Sequence, residues 1–185
     1  GIENSGKRFN RFLAELHLYE GNFVNAAQQI ESATEQEFKD LQESQGDAFL
    51  VKAKIYNYAG IADLARENFN LAKAYFEAQL KNDPENYYAH SKLGLAYAGL
   101  GNKLLAIEYG QKAFLLGTQT YSAVAFPYIL YDMAVTYTIS GEYESALITL
   151  EELLAVHSLY TLDYIKIDPD LNPLLNEPGF KDLNP

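Results

Sequence analysis

The chain of 185 residues is 48% apolar and carries 14 Lys and Arg against 25 Asp and Glu, a formal charge of −11. That acidity argues against nucleic acid and anionic membrane surfaces as partners. The absence of cysteine removes disulfides, thiolate nucleophiles and zinc–thiolate sites.

From the N-terminus, residues 1–9 lack the apolar run of a signal peptide, and the opening on Gly1 reads as a trimmed end of a longer protein. Four glycines then divide the chain: Gly21, Gly60, Gly101 and Gly141, at intervals of 39, 41 and 40 residues. Seven positions before each stands a small residue (Ala14, Ala53, Gly94, Ala134), and four before stands a ring (His17, Tyr56, Tyr97, Tyr137). Five after comes Ala26, Ala65, Ala106 or Ala146; twelve after comes Ala33, Ala72, Ala113 or Leu153. Residues three and four apart share a helix face, and glycine ends a helix where φ > 0 is needed. The pattern therefore predicts one helical hairpin copied four times, with small residues letting paired helices approach and a ring filling the remaining space. The fold class expected is all-α, a right-handed α-solenoid of about four hairpins with a proline-rich C-terminal cap.

In chain order, an array over 1–160 holds repeats near 7–45, 46–84, 87–119 and 127–160, and a capping tail covers 161–185. The first repeat's second helix is expected from Phe23 to about Gln45. The second repeat's runs from about Ala62 to Lys81, because Pro84 disfavours helix at Asp83. A rival register makes Tyr56, Ala59 and Gly60 a first-helix pattern, but it puts Asp63 at the ring position and loses the matched spacing. In the third repeat, Gly110 replaces a bulky residue and predicts a shallow gap or the entry of a neighbour. A loop over 117–122 leads to the fourth repeat. Between Thr118 and Ser140 the only charge is Asp132; Pro127 and the hydroxyl residues make this a buried helix rather than a membrane span. Four of the six prolines fall between 169 and 185, so no long helix fits there. Ile165, Ile167, Leu171, Leu174, Leu175, Phe180 and Leu183 are expected to cover the last hairpin.

At the third repeat, Leu93-Gly94, Tyr97, Gly101, Ala106 and Ala113 resemble the tetratricopeptide-repeat family, and the linker Asn82-Asp83-Pro84-Glu85-Asn86 is similar to the connection that precedes such a unit. Residues 167–183, with Asp168-Pro169, Asn172-Pro173-Leu174 and Pro178-Gly179-Phe180, resemble the closing tail of repeat modules in bacterial signalling proteins. Those include class III adenylate cyclases, serine/threonine kinases and winged-helix membrane regulators. The resemblance implies a module of a larger protein that binds a protein or peptide on its inner surface. It also implies which positions point inward: Arg8, Arg11, Glu15 and Leu18; Asp47, Leu50, Lys54 and Asn57; Tyr88, Ser91, Leu95 and Ala98; Tyr128, Tyr131, Val135 and Thr138.

One end of that surface is basic and the other tyrosine-rich, and arginine and tyrosine are residue types that anchor interfaces. The partner-binding residues expected are Arg8, Arg11, Lys54, Asn57, Tyr88, Tyr128 and Tyr131, facing a peptide with acidic and apolar portions. They do not reproduce the carboxylate grip of the family's chaperone-binding subset. His17, His90 and His157 are far apart, the pairs Glu151-Glu152 and Asp168-Asp170 read as solvated, and no phosphate loop, nucleophile elbow or His-Glu-x-x-His pair is present. No enzyme, cofactor or metal is expected. Self-assembly into a homo-oligomer and sensing of a small molecule or peptide signal are the alternatives, and the compartment stays open.

Overall fold

The computed structural model describes residues 9–120 and 125–183, and all regular secondary structure among them is helical. The order is α1 (Asn10–Tyr19), α2 (Phe23–Ser32), α3 (Glu35–Asp40), α4 (Gln45–Tyr58), α5 (Ala62–Asn82), α6 (Tyr87–Gly99), α7 (Lys103–Thr120), α8 (Ala125–Ile139), α9 (Tyr143–Ala155) and α10 (Leu162–Ile167). Two 3₁₀ segments, Pro169–Asn176 and Pro178–Asp182, follow. The chain forms two compact units, residues 1–75 and 76–185.

Each dividing glycine turns one helix into the next. Gly21, Gly60, Gly101 and Gly141 have φ of 72°, 75°, 76° and 76°. In every turn the following amide donates to the carbonyl of the residue four before the glycine: Asn22 to His17, Ile61 to Tyr56, Asn102 to Tyr97 and Glu142 to Tyr137. The spaced rings thus sit where the backbone closes a Schellman turn and satisfies the helix's last carbonyls. Gly60 lies between α4 and α5, which disposes of the rival register. Most small residues at the other matched offsets are buried, Ala14, Ala26, Ala53, Ala106, Ala134 and Ala146 among them, while Ala33 is half-buried.

In the first unit α1 packs on α2, α3 and α4, around Ala14, Leu18, Ile30, Phe38 and Ile55. Its second helix stops at Ser32 rather than near Gln45, and Ala33 takes extended backbone as its cap. Two capping boxes explain the correction. Thr34 and Glu37 exchange side-chain and backbone bonds at the start of α3, as do Ser44 and Asp47 at the start of α4; each restarts a helix by satisfying its first donors. Glu37 also accepts the Asn10 amide at 2.7 Å, tying α3 to α1.

The second unit pairs α6 with α7 and α8 with α9, with α8 also against α6 and α7. Gly94 lets α6 and α7 come together: a Cβ there would lie 3.2 Å from both the Ala106 carbonyl oxygen and the Gly110 nitrogen. Beside Gly110 the neighbour enters, and Thr136 Cγ2 lies 3.8 Å from where its Cβ would be. α7 runs on to Thr120 instead of giving way to a loop at Gly117. A Cβ on Gly117 would overlap Ile129 Cδ1, so glycine here serves close packing of α8, not a turn. The tail closes the unit: Ile165, Leu171, Leu174, Phe180 and Leu183 join Leu130, Ala134, Leu150 and Leu153 in one core. Ile167 stays exposed.

Asp168 and Asp170 are buried, not solvated, at 0% and 8% exposure. Asp168 caps the first 3₁₀ segment by accepting the Asp170 amide at 3.0 Å, and it also accepts the Tyr131 hydroxyl from α8. A buried carboxylate needs such donors to offset its lost hydration. Glu151 and Glu152 are exposed.

A tyrosine-rich candidate interaction face

The expected site residues fall in both units. Arg8 lies outside the described residues. Arg11 is 3% exposed: its guanidinium donates to both Glu43 oxygens, at 2.6 and 3.1 Å, and to Glu15 at 3.2 Å. Burial alone would pull that group's pKa down, but Glu15 and Glu43 together hold it above its usual value. Arg11 is therefore committed to locking α1 against the segment after α3, and it is not available to grip an acidic partner. Lys54 Nζ lies 5.7 Å over the Tyr19 ring, and Asn57 is exposed. The same unit has a cleft of ≈ 310 Å³ between α3 and the first turns of α4, bordered by Phe38, Lys39, Phe49 and Lys52.

Two of the expected tyrosines of the second unit, Tyr128 and Tyr131, meet in one ring cluster. Tyr131 stacks on Tyr160 with ring centroids 4.4 Å apart. Tyr128 meets Tyr160 edge-on at 5.8 Å, and Tyr164 meets Tyr131 and Tyr160 edge-on at 5.9 and 5.4 Å. These offset and edge geometries are those preferred by the ring quadrupole. Tyr131, Tyr160 and Tyr164 are half-buried. Tyr128 remains 51% exposed at the edge of the cluster, and Tyr88, on α6, is 43% exposed. Tyr88 rests edge-on against Phe76 at 6.2 Å.

Polar groups beneath these rings hold α6 to α8. Asp132 accepts the Ser91 hydroxyl and the Lys92 ammonium, each at 2.7 Å, and the same ammonium lies 5.2 Å over the Tyr88 ring. Burial first, then the negative charge of Asp132, push the Tyr160 phenol up from its ordinary pKa, with Tyr164, Tyr128 and Asp168 adding to it. Of the other inward positions, Ser91, Ala98, Val135 and Thr138 are buried and Leu95 is half-buried. They make the helix contact rather than the open surface.

Tyr160, Tyr164, Lys92, Asp132 and Asp168 were missed among the expected site residues. A signal existed for Asp132, the single charge in an apolar stretch, because such a group demands a buried partner. Tyr160 stands at the very end of the last repeat and Tyr164 beyond it, past the offsets that the glycines mark.

His90 donates Nε2–H to the Pro84 carbonyl at 2.9 Å and lies on the Tyr109 ring at 5.6 Å. Tyr97 stacks on the same Tyr109 ring at 5.4 Å and donates its hydroxyl to Glu77 at 2.8 Å. Among the described residues no three His, Cys, Asp or Glu side chains are placed to hold a metal ion, and no helix is long and apolar enough to cross a membrane.

Residues 59–115 match the family model described as tetratricopeptide repeat. Superkiller protein 3 of Schizosaccharomyces pombe is 34% identical over 99 residues, which is 54% of this chain and 7% of that protein's length. Among solved structures, TPR-like repeats of a Podosopora anserina protein assigned as a kinesin light chain align at 16% identity and a TM-score of 0.48, covering 99% of this chain and 93% of that one. PilW, a type IV pilus biogenesis factor, aligns at 20% identity and a TM-score of 0.46, covering 97% of this chain and 91% of that one. The segment that is similar to the tetratricopeptide repeat spans α5, α6 and most of α7, and the same glycine turn recurs on either side of it.

Proposed function

We propose that this chain is a non-catalytic interaction scaffold that docks a peptide or partner domain on the face carrying Tyr88, Tyr128 and Tyr131. The observation that carries the proposal is the pair of solvent-facing tyrosines on successive first helices, with Tyr128 braced from behind by Tyr160. A ring held in place by packing loses little conformational freedom on binding, which is why tyrosine dominates interface hot spots. Lys54 and Asn57 lie in the first unit and are proposed as contacts there, separate from this face. Arg11 is withdrawn, since its charge is already compensated. The tail over 167–183 supports a place within a larger bacterial signalling protein, and a full reading frame joining no signalling domain would remove that part of the proposal.

The test is affinity capture from a lysate of the source organism with the chain and with its Tyr88→Ala/Tyr128→Ala variant. A partner held by the first and lost by the second supports the face. A partner held equally by both moves the site elsewhere and overturns the assignment. Self-association is a second reading, favoured by one observation: Phe9, Phe12 and Leu16 form an exposed apolar stripe along α1. Light scattering that returns a concentration-independent monomer would sink it.

A further inference from the structure

The segment between α2 and α4 follows no offset of the repeat, and it builds a cleft. α3 ends in the turn that elsewhere takes glycine, but Gln42 stands there, at φ 60°. The Glu43 amide donates to the Phe38 carbonyl at 3.0 Å and the Gln42 amide to the Lys39 carbonyl at 2.9 Å, the same closure as in the glycine turns. A left-handed glutamine persists only where its surroundings hold it. Here the hold is the clamp of Glu43 on the buried Arg11 of α1. This wall of the cleft is therefore formed before any ligand arrives, which spares the ligand the cost of ordering it.

The volume of ≈ 310 Å³ is at the small end of the about 300–1,000 Å³ that ligand sites occupy. It has room for one ring with its polar group and not for a large cofactor. Ala33, Phe38, Ala48 and Phe49 supply the apolar lining. Four charged side chains border it, and three are already answered: Glu43 by Arg11, and Glu35 and Lys39 by each other at 3.8 Å. The fourth is Lys52. It is half-buried, its ammonium lies 5.6 Å over the Phe38 ring, and among the described residues no carboxylate stands within ion-pair distance of it. A cation at the edge of an apolar cavity favours an anion beside it, because the lowered dielectric strengthens their attraction.

We infer that this cleft binds a small aromatic carboxylic acid, its carboxylate on the Lys52 ammonium and its ring against Phe49 and Ala48. The aromatic body is favoured by the phenylalanine in the wall, since ring pairs gain beyond the area they bury. The site lies wholly within the first unit and does not depend on the tyrosine face.

NMR titration of the intact chain tests this with phenylacetate, its neutral counterpart phenylacetamide, and acetate. Phenylacetate is expected to shift the amide signals of Ala48, Phe49 and Lys52 with a Kd of about 1 mM or tighter. Phenylacetamide, which lacks the charge, and acetate, which lacks the ring, should each bind about tenfold more weakly. Lys52→Met keeps the stem over Phe38 and removes the ammonium; it should weaken phenylacetate about tenfold and leave phenylacetamide unchanged. Lys52→Arg should stay within about threefold of the parent. Equal affinity for phenylacetate and phenylacetamide, or phenylacetate binding that ignores Lys52→Met, overturns the seat on Lys52. Acetate binding as tightly as phenylacetate overturns the aromatic body. Absence of shifts at these three amides overturns the inference outright. The comparison of the three ligands needs no variant, so a poorly folded Lys52→Met leaves the test intact.

Discussion

The contact between α7 and α8 at Gly117 can be tested through a double-mutant cycle. A methyl group added by Gly117→Ala overlaps Ile129 Cδ1, while Ile129 Cγ1 and Cγ2 lie at ordinary contact distances of 3.6 and 4.0 Å. Ile129 is 3% exposed, so its terminal methyl has no solvent to turn into. Alanine in a helix interior is favoured over glycine by about 1 kcal/mol, and overpacking costs about 1–3 kcal/mol. Gly117→Ala alone should therefore destabilise by about 0–2 kcal/mol. Ile129→Val removes the offending methyl and costs about 0.5–1.5 kcal/mol through lost burial. In the double variant the overlap is gone while the helix gain remains, so stability should return close to that of the parent. The coupling energy is then about 1–3 kcal/mol, favourable. Urea denaturation of the four proteins, with equal m values, measures it. Additive effects would refute the close approach and restore Gly117 as a loop residue.

Other expectations follow from single residues. Gly101→Val forces a β-branched residue to φ near 76° and should cost about 1–2 kcal/mol or more; an unchanged thermal midpoint would contradict the Schellman turn. Arg11→Met leaves Glu15 and Glu43 without their buried cation; because both acids are partly exposed, the expected loss is about 1–3 kcal/mol, below the full figure for a buried pair, and partner capture should be untouched. Tyr97 is pushed up to about 12 by burial first and then by its hydrogen bond to Glu77. A raised folded pKa favours the protonated form, so its contribution is complete below pH 10.0, the ordinary value, and is lost between there and about 12. The stability gap between the chain and Tyr97→Phe should shrink across that interval, and a constant gap would contradict it.

The repeat was legible because its turns are backbone events that demand glycine and its hairpins need small residues at fixed offsets. The departures were written in residues that the offsets do not cover. Thr34–Glu37 and Ser44–Asp47 are capping-box spacings, and they end α2 early to make room for α3. Gly117 was read as punctuation, yet a glycine inside a helix also serves a neighbour that must come close, here Ile129. Tyr88 and Tyr128 could be placed from their repeat positions alone. Arg11 could not be judged, because its partner Glu43 comes from the inserted segment and only three-dimensional folding pairs them. Asp168 looked solvated beside Asp170 until the tail folded back and gave it the Tyr131 hydroxyl.

The central claim, that partners dock on the tyrosine face, is tested most directly by placing a photo-crosslinking amino acid at position 128 and, separately, at Glu108, an exposed residue of the second helix α7. Irradiation in the source lysate should join a partner to the chain from position 128 and not from 108. Crosslinks from position 108 alone would place the partner on the other face and contradict the account.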